Sequence, residues 1–160
     1  MIELKSMTLT HFWLMFSWAN DPKASEMTRD FKRVSLLEHV KWFYRMYNNP
    51  THQVQIIHEY FSNKPVGYAQ LIERSGHAEF RIKIPELKNR NLGYGSQTLN
   101  QIISLAKEIG IKQLYLQVRK DNYAAIRLYR KYGFIQDKNF EFERNFSGEI
   151  VLILTFYKVL

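Results

Sequence analysis

Two glycines follow an arginine at a spacing suited to holding a phosphate group. Residues 90–95 read R-N-L-G-Y-G and stand between a predicted strand and a predicted amphipathic helix. Gly93 and Gly95 let the backbone turn tightly, so that its N–H groups converge on an anion at the positive end of the helix dipole. An ordinary turn is the alternative, because two glycines alone are a weak signal. A Rossmann turn is excluded because Thr98 replaces the third glycine, and a P-loop because its lysine is missing.

A second motif lies further along the chain. Residues 122–134 read N-Y-A-A-I-R-L-Y-R-K-Y-G-F and match every fixed position of N-x-x-A-x-x-L-Y-x-K-x-G-F. That pattern is a signature of the GNAT superfamily of N-acetyltransferases, whose upstream turn, [R/Q]-x-x-G-x-[G/A], is matched by residues 90–95. The chain therefore resembles this superfamily over essentially its whole length, most strongly over residues 78–134. One departure is the linker at residues 86–89, which is longer than the commonest version, so the alignment of the preceding strand stays open by one residue.

The resemblance implies acetyl-CoA as the acetyl donor, bound where the fourth and fifth strands splay apart. The pantetheine arm would pair with backbone groups of the fourth strand, as an added strand would. The turn would hold the pyrophosphate, supported by a charge-assisted contact from Arg90. Asn122 would contact the cofactor arm, although a helix N-cap is an equally good use of asparagine. The implied cofactor-binding residues are Ile82, Lys83, Ile84, Arg90, Asn91, Leu92, Gly93, Tyr94, Gly95, Ser96 and Asn122.

Acetyl transfer needs a neutral amine and a protonated leaving group. Freeing a lysine-like amine of its proton at neutral pH costs roughly 4 kcal/mol, so a base or a water relay is required. The departing thiolate needs a proton, and Tyr129 stands at the position of the superfamily's general acid. Glu79 lies near the position of a catalytic glutamate in some members and is the candidate base, with His77 as a rival. Packing of Tyr129 and exposure of Glu79 are the structural alternatives.

The N-terminal part bears on the acceptor. Residues 18–22 read W-A-N-D-P, and residues 35–43 read S-L-L-E-H-V-K-W-F. These resemble the W-x-N-[DH]-P and S-x-x-x-H-x-x-[WF] patterns of acetyltransferases in surface-glycan pathways, such as the pseudaminic acid enzyme that acts on a nucleotide-linked 4-amino sugar. Ribosomal-protein N-terminal acetyltransferases share a looser form. The implied acceptor residues are Trp18, Asn20, His39 and Trp42, for each of which core packing is the competing interpretation.

Three functions remain open on these residues. The first is acetylation of a small amine, in particular a nucleotide-linked amino sugar, and the second is acetylation of a protein N-terminus or lysine. The third is a domain that binds CoA without catalysis, which an intact Tyr129 disfavours. An open acidic groove would favour a peptide, whereas a closed aromatic pocket beside basic residues would favour a sugar nucleotide.

Composition narrows the partners. The chain has 160 residues, 46% of them hydrophobic, which fits one domain over residues 1–160. Without cysteine, thiolate metal ligands and cysteine nucleophiles are excluded, and the five histidines show no metal-ligand spacing, so no metal is expected. The net charge of +8 favours an anionic partner, but the scattered basic residues argue against nucleic acid. No apolar run is long enough for a membrane span, so a soluble cytoplasmic protein is expected, with a homodimer left open.

The elements that would position these residues follow from periodicity. Helices are predicted at residues 10–18 and 36–47, the second opened by an S-x-x-E capping box at Ser35 and Glu38. Alternation predicts strands at residues 53–60, 65–72, 78–84, 114–118, 134–136 and 149–157. Residues 138–148 are expected to form a hairpin arm. The expected fold is the α+β GNAT fold: a mixed, mostly antiparallel twisted sheet of about seven strands with about four helices.

Overall fold

A computed structural model describes residues 1–22, 33–86, 89, 91–146 and 148–160. Within these residues the chain forms one seven-stranded sheet and four α-helices. The strands are β1 Ile2–Ser6, β2 His52–Glu59, β3 Pro65–Arg74, β4 His77–Lys83, β5 Gln113–Arg119, β6 Ile135–Phe146 and β7 Glu149–Val159. The helices are α1 Phe12–Asn20, α2 Leu36–Asn48, α3 Tyr94–Glu108 and α4 Tyr123–Lys131, and a short 3-10 turn, Leu9–His11, precedes α1.

The sheet is mixed, in the order β1-β2-β3-β4-β5-β7-β6. β1 to β4 form an antiparallel meander, β4 and β5 are parallel, and β7 pairs antiparallel with both β5 and β6. The parallel ladder has only three residue pairs and ends at Glu79↔Tyr115, although β4 continues to Lys83 and β5 to Arg119. The two strands therefore separate toward their carboxyl ends, and the expected fold class and splay are confirmed.

Local signals in the sequence account for α2. The Ser35 hydroxyl accepts a hydrogen bond from the Glu38 N–H at 3.3 Å, and the Glu38 carboxylate accepts one from the Ser35 N–H at 2.9 Å. This confirms the predicted capping box, which satisfies two N–H groups that the first helical turn leaves without partners. The helix buries His39, Phe43 and Met46 against the sheet.

Two predictions of strand extent were wrong. β1 lies in the N-terminal third, where only helix was expected, and it pairs with β2 from Ile2↔Glu59 to Ser6↔Gln55. β6 was expected to end at residue 136, with a hairpin arm after it. The strand instead runs to Phe146, with a register shift between Asp137 and Phe142.

The two faces of the sheet carry separate cores. α3 and α4 cover one face, where a cluster that includes Phe80, Leu99, Leu116 and Tyr129 is buried. α1 and α2 cover part of the other face, packing Met15, Trp18 and Phe43 against β2. Because side chains alternate along a strand, neighbouring residues of β4 and β5 face different cores. The gap between these strands thus opens toward both layers of helices.

Candidate active site

Two cavities meet at the gap between β4 and β5. One, of about 370 Å³, lies on the side of α1 and α2, and the other, of about 660 Å³, lies on the side of α3 and α4. Four residues line both: Ile82, Lys83, Asn122 and Tyr129. We call them the acceptor-side cavity and the turn-side cavity. A molecule in one cavity can therefore meet a molecule in the other at this shared wall.

The glycine turn forms one end of the turn-side cavity. Gly93 is the N-cap of α3 with φ of 77°, a left-handed conformation that favours glycine. The first helical bond runs from the Gln97 N–H to the Gly93 carbonyl, so the N–H groups of residues 94–96 have no partner within the helix. These N–H groups lie at the positive end of the helix dipole, which is where an anionic group binds favourably.

Most of the turn residues expected at the cofactor do line this cavity. They are Asn91, Gly93, Tyr94, Gly95 and Ser96 from the turn, Ile82, Lys83 and Ile84 from the end of β4, and Asn122. Leu92 is not among the described lining residues and its side chain is exposed. Arg90 lies outside the described residues. The Tyr94 side chain points into the core, where its hydroxyl donates a hydrogen bond to Glu59 at 2.8 Å. Tyr94 can therefore offer its backbone N–H, but not its hydroxyl, to an anion in the turn-side cavity.

α4 carries the second motif to the shared wall. The Asn122 side chain accepts a hydrogen bond from the Ala125 N–H at 3.2 Å, so it is the helix N-cap, and it also lines both cavities. Near the other end of α4, the Tyr132 hydroxyl donates to the Ser96 carbonyl at 2.9 Å and lies 2.7 Å from the Ser96 hydroxyl. This contact ties the end of α4 to the start of α3.

Tyr129 stands where the two cavities join. Its ring packs edge-on to Phe80, with centroids 6.5 Å apart, and only 7% of the residue is exposed. Burial raises the pKa of Tyr129 well above the ordinary value of 10.0, so the phenol keeps its proton at neutral pH. Within the described residues its hydroxyl makes no hydrogen bond to protein. Tyr129 therefore brings a protonated hydroxyl to the wall that the two cavities share.

Glu79 lies in the acceptor-side cavity, paired with Arg81. The Arg81 Nε donates to one carboxylate oxygen at 2.7 Å, and its Nη2 donates to the other at 2.9 Å. Glu79 is 93% buried, so this bidentate pair compensates for the loss of water around the carboxylate. The alternation of β4 had left open which way Glu79 faces, and the structure directs it into the cavity. His77, the rival base, is exposed and is not among the described lining residues.

The predicted acceptor residues divide into two pairs. His39 and Trp42 line the acceptor-side cavity with stacked rings 5.6 Å apart, and the buried His39 Nε2 donates to the Phe12 carbonyl at 3.0 Å. Burial lowers the pKa of His39, although this hydrogen bond opposes the shift, so the ring is neutral at pH 7. Trp18 and Asn20 are not among the described lining residues, and structural roles account for them.

Trp18 and Asn20 make packing and hydrogen-bond contacts that hold neighbouring elements in place. Trp18 stacks on Tyr68 at 6.2 Å between ring centroids, and its carbonyl accepts a hydrogen bond from Lys83 Nζ at 3.1 Å. Asn20 exchanges two hydrogen bonds with the backbone of Val34, at 2.8 and 3.0 Å, which join the end of α1 to the residues before α2.

Sequence reasoning missed several polar residues of the acceptor-side cavity. Tyr68 and Gln70 from β3, Arg81 from β4, and Gln117 and Arg119 from β5 all line it. Burial, opposed by the charge of Arg81, raises the pKa of Tyr68 to about 12. Register could have found them, since Gln70 pairs with Arg81 and Tyr68 with Lys83 across the sheet, on the face that carries Glu79. That signal needs the strand pairing, which the sequence does not contain.

Metal and membrane sites have no support in the described ranges. No group of three or more His, Asp or Glu side chains there is arranged to hold a metal ion. None of the helices in the described part of the chain combines the length and apolarity needed to cross a membrane.

Comparisons with known proteins agree with this geometry. A model of the acetyltransferase (GNAT) family matches residues 13–134. No curated protein matches the sequence significantly. Spermidine N-acetyltransferase from Vibrio cholerae, solved with CoA and spermine, has a TM-score of 0.86 at 16% identity, covering 99% of this chain and 95% of its own.

Two further solved structures have the same fold. Ribosomal-protein-alanine N-acetyltransferase from Brucella melitensis has a TM-score of 0.82 at 18% identity, with 99% of both chains covered. A GNAT-family acetyltransferase from Streptococcus pneumoniae has a TM-score of 0.79 at 18% identity, with 100% of both covered. At such identities the structures establish a shared fold and leave the acceptor open.

Proposed function

Since this chain belongs to the acetyltransferase (GNAT) family and uses acetyl-CoA to acetylate an amine, we propose that its acceptor is the 4-amino group of a nucleotide-linked amino sugar. The observation that carries the proposal is the lining of the acceptor-side cavity. Its described charged residues are three cations, Arg81, Lys83 and Arg119, and one carboxylate, Glu79. Glu79 is paired with Arg81 and Asp121 with Arg119, so these five residues keep an excess of one positive charge. Such a wall attracts the negative charge of a sugar nucleotide.

The same excess of positive charge in the cavity wall favours a sugar nucleotide over a polyamine as the acceptor. A polyamine carries several positive charges at neutral pH, and cations that line a cavity repel it. Aromatic and imidazole side chains complete the wall, among them Trp42, Tyr68 and His39, and rings of this kind pack against the apolar face of a sugar. The aromatic and basic lining of this cavity supports a sugar nucleotide over a peptide as the acceptor.

We assign the turn-side cavity to acetyl-CoA. The N–H groups of residues 94–96 bind the pyrophosphate, as donors without helical partners at the positive end of α3. The pantetheine arm lies along the end of β4, beyond Glu79↔Tyr115, the last residue pair of the ladder between β4 and β5. Asn122 contacts that arm at the shared wall. Leu92 takes no side-chain part in this assignment, because it points to solvent.

In the proposed mechanism the amine attacks the thioester directly. The carbon–nitrogen bond forms and the carbon–sulfur bond breaks, while the amine loses one proton and the thiolate gains one. Glu79 accepts the amine's proton, directly or through a water, with its carboxylate held by Arg81. Tyr129 gives its proton to the thiolate and recovers one from solvent. Both groups line the acceptor-side cavity, and Tyr129 also lines the turn-side cavity.

Thiol release from acetyl-CoA tests the acceptor. The purified protein is assayed in parallel with uridine-diphosphate-linked 4-amino sugars, spermidine and peptides with free N-termini. We expect the sugar nucleotide to give a kcat/KM at least about a hundredfold above the other two, an energy difference near 3 kcal/mol. Turnover of peptides alone would favour the protein N-terminal alternative, and preference for spermidine would contradict the charge argument.

A further inference from the structure

Strand register places a second group of basic side chains beside the acceptor-side cavity. His52 of β2 pairs with Ile72 of β3, which pairs with Glu79 of β4, so these three side chains form one row across the same face of the sheet. Arg81 lies in the next row toward the gap between β4 and β5. Arg74 lies in the next row in the opposite direction. The row of His52 thus has an arginine row on each side.

α2 brings a third arginine to this place. Arg45 lies in the last turn of α2, the helix that packs over β2, and β2 starts at His52 soon after the helix ends. Arg45 and Arg74 are exposed, whereas His52 is half-buried and its Nδ1 is buried, without a hydrogen bond in the described part of the chain. Burial, followed by the positive charges of Arg45, Arg74 and Arg81, lowers the pKa of His52.

We propose that Arg45, His52 and Arg74, together with Arg81, form a binding site for the diphosphate of a nucleoside diphosphate linked to the acceptor amine. The proposal rests on the assignment of a sugar nucleotide as acceptor and names the part of the protein that holds its phosphates. Arginine suits the task because its planar guanidinium donates two parallel hydrogen bonds to phosphate oxygens.

The distances along β4 agree with an acceptor that spans both places. Arg81 lines the acceptor-side cavity, and side chains two residues apart on one strand are about 6.8 Å apart. The row of His52 is therefore one such step from Arg81 along the strand direction, and the row of Arg74 is two steps. Across the sheet, β2 lies about 10 Å from β4 and β3 about 5 Å, so the long side chain of Arg81 has to reach toward His52 for both to contact one diphosphate. The sugar ring would then join an amine at the shared wall to a diphosphate held between Arg81 and the row of His52. Arg81 would serve both ends of the molecule, since it also holds Glu79.

Binding of uridine diphosphate measures the site without catalysis. Titration calorimetry is done with saturating CoA, so that the turn-side cavity cannot take the probe. We expect Arg45→Gln and Arg74→Gln each to raise the Kd for uridine diphosphate about tenfold, the effect of losing one charge-assisted hydrogen bond. The control is Lys107→Gln, which removes one positive charge from the exposed last turn of α3. Equal weakening by the control, or unchanged binding in both arginine variants, would overturn the proposal.

Kinetics separate this proposal from the choice of acceptor. Both arginine variants should raise the KM for the nucleotide-linked amino sugar, leaving kcat, the KM for acetyl-CoA and the KM for the same amino sugar without a nucleotide unchanged. If sugar nucleotides are acetylated and neither variant changes their KM, the assignment of the acceptor is correct and the assignment of the diphosphate site is wrong. If no sugar nucleotide is acetylated but both variants weaken uridine diphosphate, the acceptor is wrong and the site stands. A short RNA could instead bind more tightly than uridine diphosphate and lose that binding in both variants. This result would identify the arginine residues as a nucleic-acid-binding surface and overturn the proposal.

Discussion

Tyr129→Phe tests the acid directly, because it removes one oxygen atom and keeps the packed ring. The departing thiolate would then leave without a positioned proton donor. Positioned acids contribute about 10²- to 10⁴-fold, so kcat should fall by that factor, equal to roughly 3 to 5.5 kcal/mol of barrier. Since the hydroxyl makes no hydrogen bond to the described protein, the free energy of unfolding should change by less than about 0.5 kcal/mol. Steady-state thiol release and urea unfolding measure the two quantities.

Tyr132→Phe on the same helix is the matched control. Its hydroxyl contacts Ser96 in two ways, at 2.7 and 2.9 Å, so its loss should lower the free energy of unfolding by about 1 to 2 kcal/mol. Its kcat should stay within a fewfold of wild type. If Tyr129→Phe kept a third or more of wild-type kcat, or if both variants lost rate equally, the acid assignment would be refuted.

The pH profile gives an independent check on Tyr129. Burial raises its pKa above the ordinary value of 10.0, so the acid form persists as the pH rises through the neutral and mildly basic range. We therefore expect kcat to show no loss on the basic side below about pH 10. A basic limb near pH 8 that disappears in Tyr129→Phe would contradict the raised pKa.

Three further substitutions test the scaffold. Gly67→Ala would place a Cβ 2.3 Å from the Lys83 carbonyl oxygen, so β3 and β4 must move apart. We expect the free energy of unfolding in urea to fall by about 1 to 3 kcal/mol and acetyl-CoA to bind more weakly by calorimetry. Wild-type values of both quantities would contradict this. Gly93→Val forces a β-branched residue to a φ of 77°, which distorts the turn. The KM for acetyl-CoA should rise more than about tenfold, while the KM for the acceptor stays the same. An unchanged KM for acetyl-CoA would show that the turn does not bind the cofactor. Ser35→Ala breaks the capping box with Glu38 and should cost about 0.5 to 2 kcal/mol of unfolding free energy, with acetyl-CoA KM as the unaffected control.

Local patterns predicted local structure well. The capping box at Ser35 depends on residues three apart. Residues 122–134 include both the N-cap of α4 and the glycine that follows it. Both structures are therefore predictable from a short stretch of sequence. β1 depends on pairing with β2 some fifty residues away, and only Ile2 of its five residues is fully buried, so its alternation is weak. β6 is polar, but strand pairing uses backbone groups, which a polar sequence provides equally well.

The site was predictable only where a motif identified it. Tyr129 and Asn122 belong to such a motif, and both lie at the wall between the cavities. Arg81 belongs to none, and whether it enters the cavity together with Glu79 depends on which face of β4 points to α1 and α2. Trp18 was assigned to the acceptor from its residue type and pattern, whereas the fold uses its ring to pack on Tyr68. Residue type indicates what a side chain can do, and packing determines which of those options is used.

The early end of the β4–β5 ladder also links the stability of this protein to its metabolic surroundings. Beyond Glu79 the two strands stop pairing, which leaves a gap where a ligand arm can lie as an added strand would. A ligand that binds only the folded chain adds RT ln(1 + [L]/Kd), about 2.7 kcal/mol at a hundred times its Kd. Acetyl-CoA abundance would then set how much of the enzyme survives in the cell, as well as how fast it works. Starvation for acetyl units would lower the enzyme's lifetime together with its substrate supply.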